Sequence, residues 1–300
     1  MKKQLCVLLL LAMSLSVMAQ DRAAKLRDNL LNNPKYVTVV AHRGDWRGAP
    51  ENSLQAFQNC IDMGVDMIEI DIHKTKDGVL VLMHDETLDR CSNGKGKISD
   101  HTYAEIQQLR LAAQHGAWYT RHGIPTLEEV LNLCKGKILI NIDKGYDYFQ
   151  DVLALTEKTG TTSQIIIKSG HLPEKVLAEN ADVLQKAIYM PIIGLSNKDA
   201  EEVVSKNLEI KPVAIECCIG RYDEKVEVLL QRIRAAGVKV WINSIWPSLC
   251  DGHDDDRAVE MKEPDEAWGW ILQRGATLIQ TDRPAQLLQY LKKHKAHKLK

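Results

Sequence analysis

The sequence lacks a dominant charge and shows no low-complexity tract. Its 300 residues include 39 Lys and Arg against 40 Asp and Glu, which gives a formal net charge of -1. This balance excludes the basic surface with which proteins hold nucleic acid, so we expect no nucleic-acid partner. With 45% hydrophobic residues and no internal repeat, the composition is that of a globular protein and excludes an intrinsically disordered chain.

Long apolar runs are also absent, except at the N-terminus. There, Lys2 and Lys3 precede an apolar run from Leu5 to Val17, and the small residue Ala19 follows it. This pattern is typical of a signal peptide over residues 1–19, which leaves a mature chain of residues 20–300. The run is too short to span a membrane, and no other stretch approaches about 20 apolar residues. We therefore predict a periplasmic or secreted protein with no transmembrane anchor in its mature chain.

Cysteines at the short paired spacings of a zinc site are missing as well. Export permits disulfides, but the sequence does not indicate a pairing, and most of the cysteines are expected to be buried small apolar residues. Six cysteines follow the signal peptide: Cys60, Cys91, Cys134, Cys217, Cys218 and Cys250.

Eight short runs rich in Val, Ile and Leu alternate with helical patterns. Near-continuous apolar strands of this kind indicate parallel strands that are buried on both faces. Eight such units form a closed (β/α)8 barrel, so we predict an α/β fold with a single TIM barrel over residues 20–300. The predicted strands are 36–41, 66–71, 137–143, 164–168, 187–191, 212–216, 238–243 and 277–281.

One segment after the second strand interrupts the alternation. Residues 74–78 end in Asp77-Gly78, a strong hairpin signal, and a further strand is predicted at 79–83. Residues 85–123 are polar and rich in glycine, with one short helical piece near 102–111. Long irregular segments in compact domains are usually functional, so we predict a small insertion over 85–123 at the mouth of the barrel.

The carboxyl ends of the strands carry charge, and the chemistry of such barrels lies at these ends. Glu69 and Asp71 are two residues apart on one strand, so both side chains are expected to point into the mouth. Together with Asp143 on the next barrel strand they form an all-oxygen set suited to Ca²⁺ or Mg²⁺. The alternative is that each carboxylate pairs with a nearby Arg or Lys.

Two histidines and two basic residues complete the candidate site. His42 and His84 each end a predicted strand, and a converging pair suits a general base and a general acid near neutral pH. Arg43 offers a planar cation that clamps phosphate through two hydrogen bonds. Lys168 either adds a second positive charge or only contacts solvent. A hard cation, an arginine and two imidazoles together favour a phosphodiester site.

Seven short motifs resemble those of the glycerophosphodiester phosphodiesterase family in order and spacing. A weaker match, TDRP at 281–284, lies near the C-terminus. The motifs are AHRG (41–44), PENS (50–53), GVD (64–66), EIDI (69–72), TKDG (75–78), HDETLDR (84–90) and IPTLEE (124–129).

The resemblance implies a barrel with an insertion after the second strand and a Ca²⁺ or Mg²⁺ ion held by Glu69, Asp71 and a third acid. It also implies that His42 and His84 are the catalytic acid and base. In the family's mechanism a glycerol hydroxyl attacks phosphorus and expels an alcohol, and water then opens the resulting cyclic phosphate to glycerol phosphate. A small phosphodiester is the implied substrate.

The sequence departs from the family pattern in two places. Relatives carry Glu, one further residue and Lys at the third barrel strand, whereas this chain has Asp143 directly followed by Lys144. Alternation along a strand would point Lys144 away from Asp143 and remove a cation from the mouth. In the seventh barrel strand the chain reads VWIN at 240–243, where relatives usually carry Trp-Thr-X-Asn. Trp241 is expected to help form the pocket wall there, with Trp246 close behind it.

Two acidic segments can be interpreted structurally, and one of them, at Glu51, also has a functional interpretation. Glu51 either lies beside a helix start capped by Asn52 or Ser53, or binds substrate hydroxyls or a metal-bound water at the mouth. Residues 253–256, a histidine followed by three aspartates, are interpreted as an acidic helix start and not as a second metal site.

Three functions are compatible with these residues. The leading hypothesis is an exported, metal-dependent phosphodiesterase that hydrolyses glycerophosphodiesters. The second is a phospholipase of the same architecture that stops at the cyclic phosphate or prefers inositol or sphingolipid head groups. The third is a barrel that binds phosphorylated ligands without catalysis. The sequence does not indicate the head group, the choice of ion or the oligomeric state.

Overall fold

The computed structural model describes residues 22–298. The predicted signal peptide, residues 1–19, lies outside the described residues. In chain order the strands are β1 (Thr38–Ala41), β2 (Met67–Lys74), β3 (Leu80–Leu82), β4 (Ala112–Ala113), β5 (Trp118–Tyr119), β6 (Leu139–Asp143), β7 (Ile165–Ser169), β8 (Ile188–Gly194), β9 (Ala214–Cys218), β10 (Lys239–Asn243) and β11 (Ala276–Thr281).

Eight of these strands are parallel and close into a barrel. Neighbours follow the order β1, β11, β10, β9, β8, β7, β6 and β2, and β2 pairs with β1 to complete the ring. The predicted (β/α)8 barrel and all eight of its strands are therefore confirmed. Closure places the last strand beside the first, with Thr281 opposite Ala41.

Helices lie between successive strands of the barrel. Their polar starts follow the sequence: Ser53 caps the helix that begins at Leu54, and Thr126 and Glu129 form a reciprocal capping box. The helices are α1 (22–32), α2 (Leu54–Met63), α3 (Tyr103–Ile106), α4 (Leu127–Cys134), α5 (Phe149–Thr159), α6 (Pro173–Asn180), α7 (Val183–Lys186), α8 (Ala200–Glu209), α9 (Glu224–Ala235), α10 (Asp255–Val259), α11 (Trp270–Gln273) and α12 (Pro284–Lys293).

The segment after β2 forms the predicted hairpin and insertion. β3 pairs with the end of β2 in antiparallel fashion, with Ile72 opposite Leu82. The chain that follows contains α3 and the two-stranded β4–β5 ribbon before it reaches α4. Its apolar side chains, among them Leu88, Ile98 and Ile106, form a small core of their own. This separate core explains how a polar, glycine-rich segment keeps a defined shape.

The barrel interior is filled at one end and polar at the other. Met67, Leu139, Ile166 and other strand residues pack together inside the barrel, and Leu26 and Leu30 of α1 pack against them. Burying a leucine side chain contributes about 1.5–3 kcal/mol, so α1 stabilises the amino-terminal end of the barrel. The carboxyl ends of the strands are left to form the mouth.

A buried carboxylate just before β2 joins the segment around β1 to the segment after α12. Asp66 accepts hydrogen bonds from the Tyr36 hydroxyl at 2.7 Å and the Val39 amide at 2.8 Å, and His297 Nδ1 lies 3.5 Å away. These contacts join the entry to β1 with the segment after α12.

The six described cysteines are unpaired in the structure. Five are buried and Cys218 is half-buried, as expected for small apolar packing residues. Within residues 22–298, the helices are all too short or too polar to cross a bilayer.

Candidate active site

Three carboxylates from two neighbouring strands meet at the mouth. β2 and β6 are paired so that Asp71 lies opposite Asp143, and Glu69 lies one step deeper on the same face as Asp71. Their ligand oxygens all lie within 4.8 Å of one another. Burial and the charge of Asp71 raise the pKa of Glu69 well above its usual range. The sequence prediction that Glu69, Asp71 and Asp143 converge is therefore confirmed.

The chemistry of this cluster fits a hard divalent ion. All of its potential metal-ligand atoms are carboxylate oxygens, the ligands that Ca²⁺ and Mg²⁺ prefer. Glu69 and Asp71 are almost fully buried, and adjacent buried carboxylates repel one another unless a cation neutralises them. Within the described part of the chain, this is the one group of three or more acidic, histidine or cysteine residues with such geometry.

Arg43 partly neutralises the cluster but is not fully engaged by it. Its backbone amide donates to Glu69 at 2.9 Å, and one terminal nitrogen donates to Glu51 at 3.1 Å. Its Nε lies 3.5 Å from Asp71 Oδ2 and is buried with no hydrogen-bond partner among the described residues. A buried donor without a partner is costly, so this atom is suited to a ligand oxygen.

His42 is held in one orientation by a carboxylate from the last strand. Its Nδ1 lies 2.8 Å from Asp282 Oδ1, which also accepts a 2.6 Å hydrogen bond from Trp46 Nε1. An ionised carboxylate only accepts, so Nδ1 carries the proton. Burial opposes protonation of His42, but the bond to Asp282 and the charge of Glu69 outweigh it and raise its pKa above 6.5.

His84 has an equivalent carboxylate partner in the next residue. Its Nδ1 lies 2.6 Å from Asp85 Oδ1, and 37% of its side-chain surface is exposed. Arg90 donates to both oxygens of Asp85, and these hydrogen bonds hold the pKa of Asp85 far below its usual range. His84 interacts electrostatically with Asp143, as His42 does with Glu69. Both imidazoles therefore flank the same acidic cluster.

Glu51 links the two arginines of the site. Its carboxylate accepts hydrogen bonds from Arg43 at 3.1 Å and from Arg90 at 2.9 and 3.0 Å. Burial raises its pKa, but these arginines outweigh that effect and lower the pKa to about 2. The helix cap is made by Ser53, as expected, while Asn52 donates to Asp71 at 2.9 Å. Glu51 thus lies at the mouth and not at the helix end.

Lys168 is buried beside the acidic cluster, so of its two interpretations the one in which it only contacts solvent is wrong. Its Nζ donates to Glu216 at 2.9 Å. Burial opposes its charge, but Glu216, Asp143 and Glu69 outweigh this and raise the pKa of Lys168. The second interpretation, a positive charge at the mouth, agrees with this position.

Trp241 lies deeper than its predicted place in the pocket wall. It has no exposed surface and packs inside the barrel, below Lys168. Its Nε1 donates to Asn243 at 2.6 Å, and Asn243 donates to Glu216 at 2.8 Å. Because Trp241 precedes the strand end by two residues, it occupies the layer beneath the mouth. Trp246 is 47% exposed, with its ring edge-on to His42, and forms the wall instead.

The expectation that Lys144 points away from the mouth is wrong. Lys144 follows the strand and has a φ of 60°, so strand alternation does not apply to it. This turn brings its Nζ to the backbone carbonyl of His84 and to within 3.9 Å of Asp71 Oδ1. The missing residue in the sequence motif is thus compensated by a left-handed backbone conformation.

These observations define a (β/α)8-barrel protein with two carboxylate-paired imidazoles and an acidic cluster at its mouth. The comparisons with known proteins narrow this class. Residues 42–286 match the profile of the Glycerophosphoryl diester phosphodiesterase family, and the chain belongs to this family.

Two relatives show the likeness in sequence. The chain is 45% identical over 106 residues to a glycerophosphodiester phosphodiesterase of Caldanaerobacter subterraneus subsp. tengcongensis. This alignment covers 35% of this chain and 44% of the relative. The chain is also 38% identical over 144 residues to a glycerophosphodiester phosphodiesterase of Bacillus subtilis. This alignment covers 44% of this chain and 47% of the relative. The chain thus spans a little under half the length of either relative.

Solved structures extend the likeness to the whole barrel. A crystal structure of a glycerophosphoryl diester phosphodiesterase from Parabacteroides distasonis has a TM-score of 0.70 and 25% identity, covering 89% of this chain and 92% of that chain. An Oleispira antarctica phosphodiesterase, solved with the product sn-glycerol-3-phosphate, shares the fold with a TM-score of 0.62 and 20% identity, covering 85% of this chain and 96% of that chain.

Proposed function

We propose that the protein is a metal-dependent phosphodiesterase that hydrolyses glycerophosphodiesters to glycerol phosphate and an alcohol. Family membership and the names of the relatives support this activity. The observation that carries it is the pair of imidazoles, each hydrogen-bonded to its own carboxylate and each interacting electrostatically with the acidic cluster.

Glu69, Asp71 and Asp143 would hold a Ca²⁺ or Mg²⁺ ion. Such an ion supplies charge neutralisation for the phosphoryl oxygens during the reaction. Asn52 supports this assignment, because its amide nitrogen donates to Asp71 and its oxygen accepts from the Asp71 backbone amide. These two contacts fix the orientation of one carboxylate, as outer partners of metal ligands do.

Arg43 and Lys168 bind the phosphate. The Nε of Arg43 points a buried donor at the cluster, and Glu51 holds the rest of the guanidinium in place. Lys168 adds a second fixed positive charge from another strand of the mouth, anchored by Glu216. Preorganised cations of this kind stabilise the charge that develops in the transition state. In this arrangement Glu51 orients Arg43.

His42 and His84 exchange protons with the substrate. The raised pKa of His42 favours its protonated form near neutral pH, so His42 protonates the departing alcohol in the first step. His84, oriented by Asp85, removes the proton from the attacking glycerol hydroxyl. When water opens the cyclic phosphate, the two residues reverse these roles.

Hydrolysis assays test the activity directly. Purified protein with Mg²⁺ or Ca²⁺ should release glycerol phosphate from glycerophosphocholine or glycerophosphoethanolamine, and a chelator should abolish this release. His42→Ala should be inactive, whereas His294→Ala, which changes an exposed histidine in the segment after α12 that pairs with the entry to β1, should retain activity. A barrel that only binds phosphorylated ligands would leave wild type and His42→Ala equally inert across a panel of phosphodiesters.

Phosphorus NMR distinguishes the two enzymatic hypotheses. The proposed enzyme forms a cyclic phosphate that is consumed as glycerol phosphate accumulates. A persistent cyclic product, or turnover limited to inositol or sphingolipid substrates, would favour the phospholipase.

We further propose that the protein is exported and that residues 20–300 form one barrel domain with the 85–123 insertion. The charged start and apolar run of residues 1–19 support export to the periplasm or the medium. N-terminal sequencing of the protein from its natural host should begin at Gln20. A cytoplasmic protein that still begins at Met1 would contradict the proposal.

A further inference from the structure

Asp255 is a buried carboxylate that the proposed reaction does not use. The sequence pattern of residues 253–256 predicts an acidic helix start, and Asp254 does cap α10. The next residue has a different environment. Asp255 is only 2% exposed, whereas the side chain of Asp256 is 66% exposed and pairs with Arg283.

Asp255 binds donors from three segments that meet behind the mouth. Its Oδ1 accepts from Ser244 Oγ at 2.7 Å, just after β10, and from Trp268 Nε1 at 2.8 Å. Its carboxylate also accepts from Thr281 Oγ1 at 2.8 and 2.9 Å. The backbone amide of Asp282 completes the set, at 2.6 Å from Oδ2.

Two of these donors belong to the residues that hold His42. The carbonyl oxygen of Thr281 accepts a hydrogen bond of 3.1 Å from the backbone amide of His42. The carboxylate of Asp282 accepts a hydrogen bond of 2.8 Å from the ring Nδ1 of the same histidine. Through Thr281 and Asp282, Asp255 is therefore connected to both the backbone and the imidazole of His42.

We propose that Asp255 is a positioning residue that sets the orientation of His42 through the Thr281-Asp282 segment. This inference rests on the proposed function in assigning the proton transfer to His42. Asp255 itself does not contact the substrate; it fixes the strand end from which Asp282 holds the imidazole.

The position requires a carboxylate. All four of its partners are donors, namely two hydroxyls, an indole N–H and a backbone N–H. An ionised carboxylate only accepts, and it has enough lone pairs for all of them. Asparagine has the same shape, but its NH₂ group would face donors and leave at least one of them without an acceptor.

Asp255→Asn tests the proposal in the full-length protein. We expect kcat on glycerophosphoethanolamine to fall at least about tenfold while KM changes less than about twofold, because small misplacements of a catalytic group cost up to roughly a hundredfold in rate. The proton resonance of His42 Nδ1 should move upfield and exchange faster with water. A purely structural role would lower thermal stability without changing this resonance.

Asp251→Asn is the matched control. Asp251 is exposed and has a φ of 50°, which asparagine tolerates well. It should keep wild-type kcat and the wild-type resonance. If Asp255→Asn does not fold, Thr281→Val removes the hydroxyl donor with little change of volume and should cause the same changes to a smaller extent.

Wild-type kcat and an unchanged His42 resonance in folded Asp255→Asn or Thr281→Val would overturn the proposal. Activity that falls only in proportion to the unfolded fraction would also overturn it. If wild type hydrolyses no phosphodiester, the proposed function fails, and the resonance alone then decides whether Asp255 positions His42.

Discussion

Replacing Asp282 by asparagine should separate the charge of this residue from its shape. Asp282 Oδ1 accepts from His42 Nδ1 at 2.8 Å and from Trp46 Nε1 at 2.6 Å, and an amide oxygen retains both acceptor roles. Hydrogen bonds to charged groups contribute about 1.5–3 kcal/mol and neutral ones about 0.5–1.5 kcal/mol. The variant should therefore weaken the bond to protonated His42 by roughly 1–1.5 kcal/mol.

This loss translates into a shift of the pH profile. One pKa unit corresponds to about 1.4 kcal/mol, so the pKa of His42 should fall by roughly one unit. The value of kcat/KM reports the first irreversible step, in which His42 is the proposed acid, so activity should decline as pH rises through this pKa. In Asp282→Asn that alkaline decline should begin roughly one pH unit lower, and above it activity should be about tenfold below wild type.

Stability should depend on pH in the matching direction. The pKa of His42 is raised above its unfolded value of 6.5. The stabilisation from this group is therefore complete below pH 6.5 and is lost as pH rises through the folded pKa. The free energy of unfolding of wild type should exceed that of Asp282→Asn by more at about pH 6 than at about pH 9.

Urea titrations and initial rates across this pH range measure both effects. Asp256→Asn is the control, because Asp256 lies on the same rim but pairs with Arg283 and not with His42. An alkaline decline that stays in place in Asp282→Asn, with an unchanged His42 pKa by NMR, would refute the assignment of His42 as the acid that Asp282 keeps protonated.

Three further changes probe the phosphate site, the metal site and the fold. Lys168→Met should lower kcat/KM about a hundredfold, whereas Lys158→Met, at an exposed ion pair, should not change it; equal rates would exclude Lys168 from phosphate binding. Asp143→Asn should weaken Mg²⁺ or Ca²⁺ binding at least about tenfold by calorimetry, and unchanged affinity would remove it from the metal site. Tyr36→Phe, which loses the bond to Asp66, should cost about 1–3 kcal/mol in urea unfolding and leave kcat unchanged; unaltered stability would contradict this.

The barrel and the convergence of the acids were predictable because they follow from strand periodicity. Residues two apart on a buried strand share a face, and parallel strands end at the same edge of the sheet. These two rules alone bring Glu69, Asp71 and Asp143 together. Barrel closure supplies a third rule, because it places the last strand beside the first. Asp282 at the end of that strand could therefore have been predicted as the partner of His42.

Other features depend on geometry that periodicity does not describe. Lys144 reaches the mouth through a left-handed backbone conformation, which is uncommon for residues other than glycine. The pairing of Lys168 with Glu216 depends on side-chain directions across two intervening strand contacts. Trp241 was placed one layer too high, although its spacing of two from Asn243 indicates that it lies on the same face and deeper in the barrel.

The two imidazoles differ in a way that agrees with their proposed roles. The His42 side chain is 8% exposed and held by a carboxylate that Trp46 also binds, which suits a group that must stay protonated until the alcohol departs. The more exposed His84 shares Asp85 with Arg90, and this arginine also binds Glu51, the partner of Arg43. Carboxylates thus alternate with basic side chains from His84 to Arg43.

This alternation has a consequence for the whole site. Removing Glu51 from the series would leave the cations Arg43 and Arg90 adjacent in a partly buried region, where unpaired charges are costly. The proposed base His84 and the proposed phosphate-binding residue Arg43 are therefore held by one continuous network through Asp85, Arg90 and Glu51. The proposed acid, His42, depends on a second network from the end of β11. Since the two networks are anchored on different carboxylates, substitutions in one should leave the imidazole of the other in place.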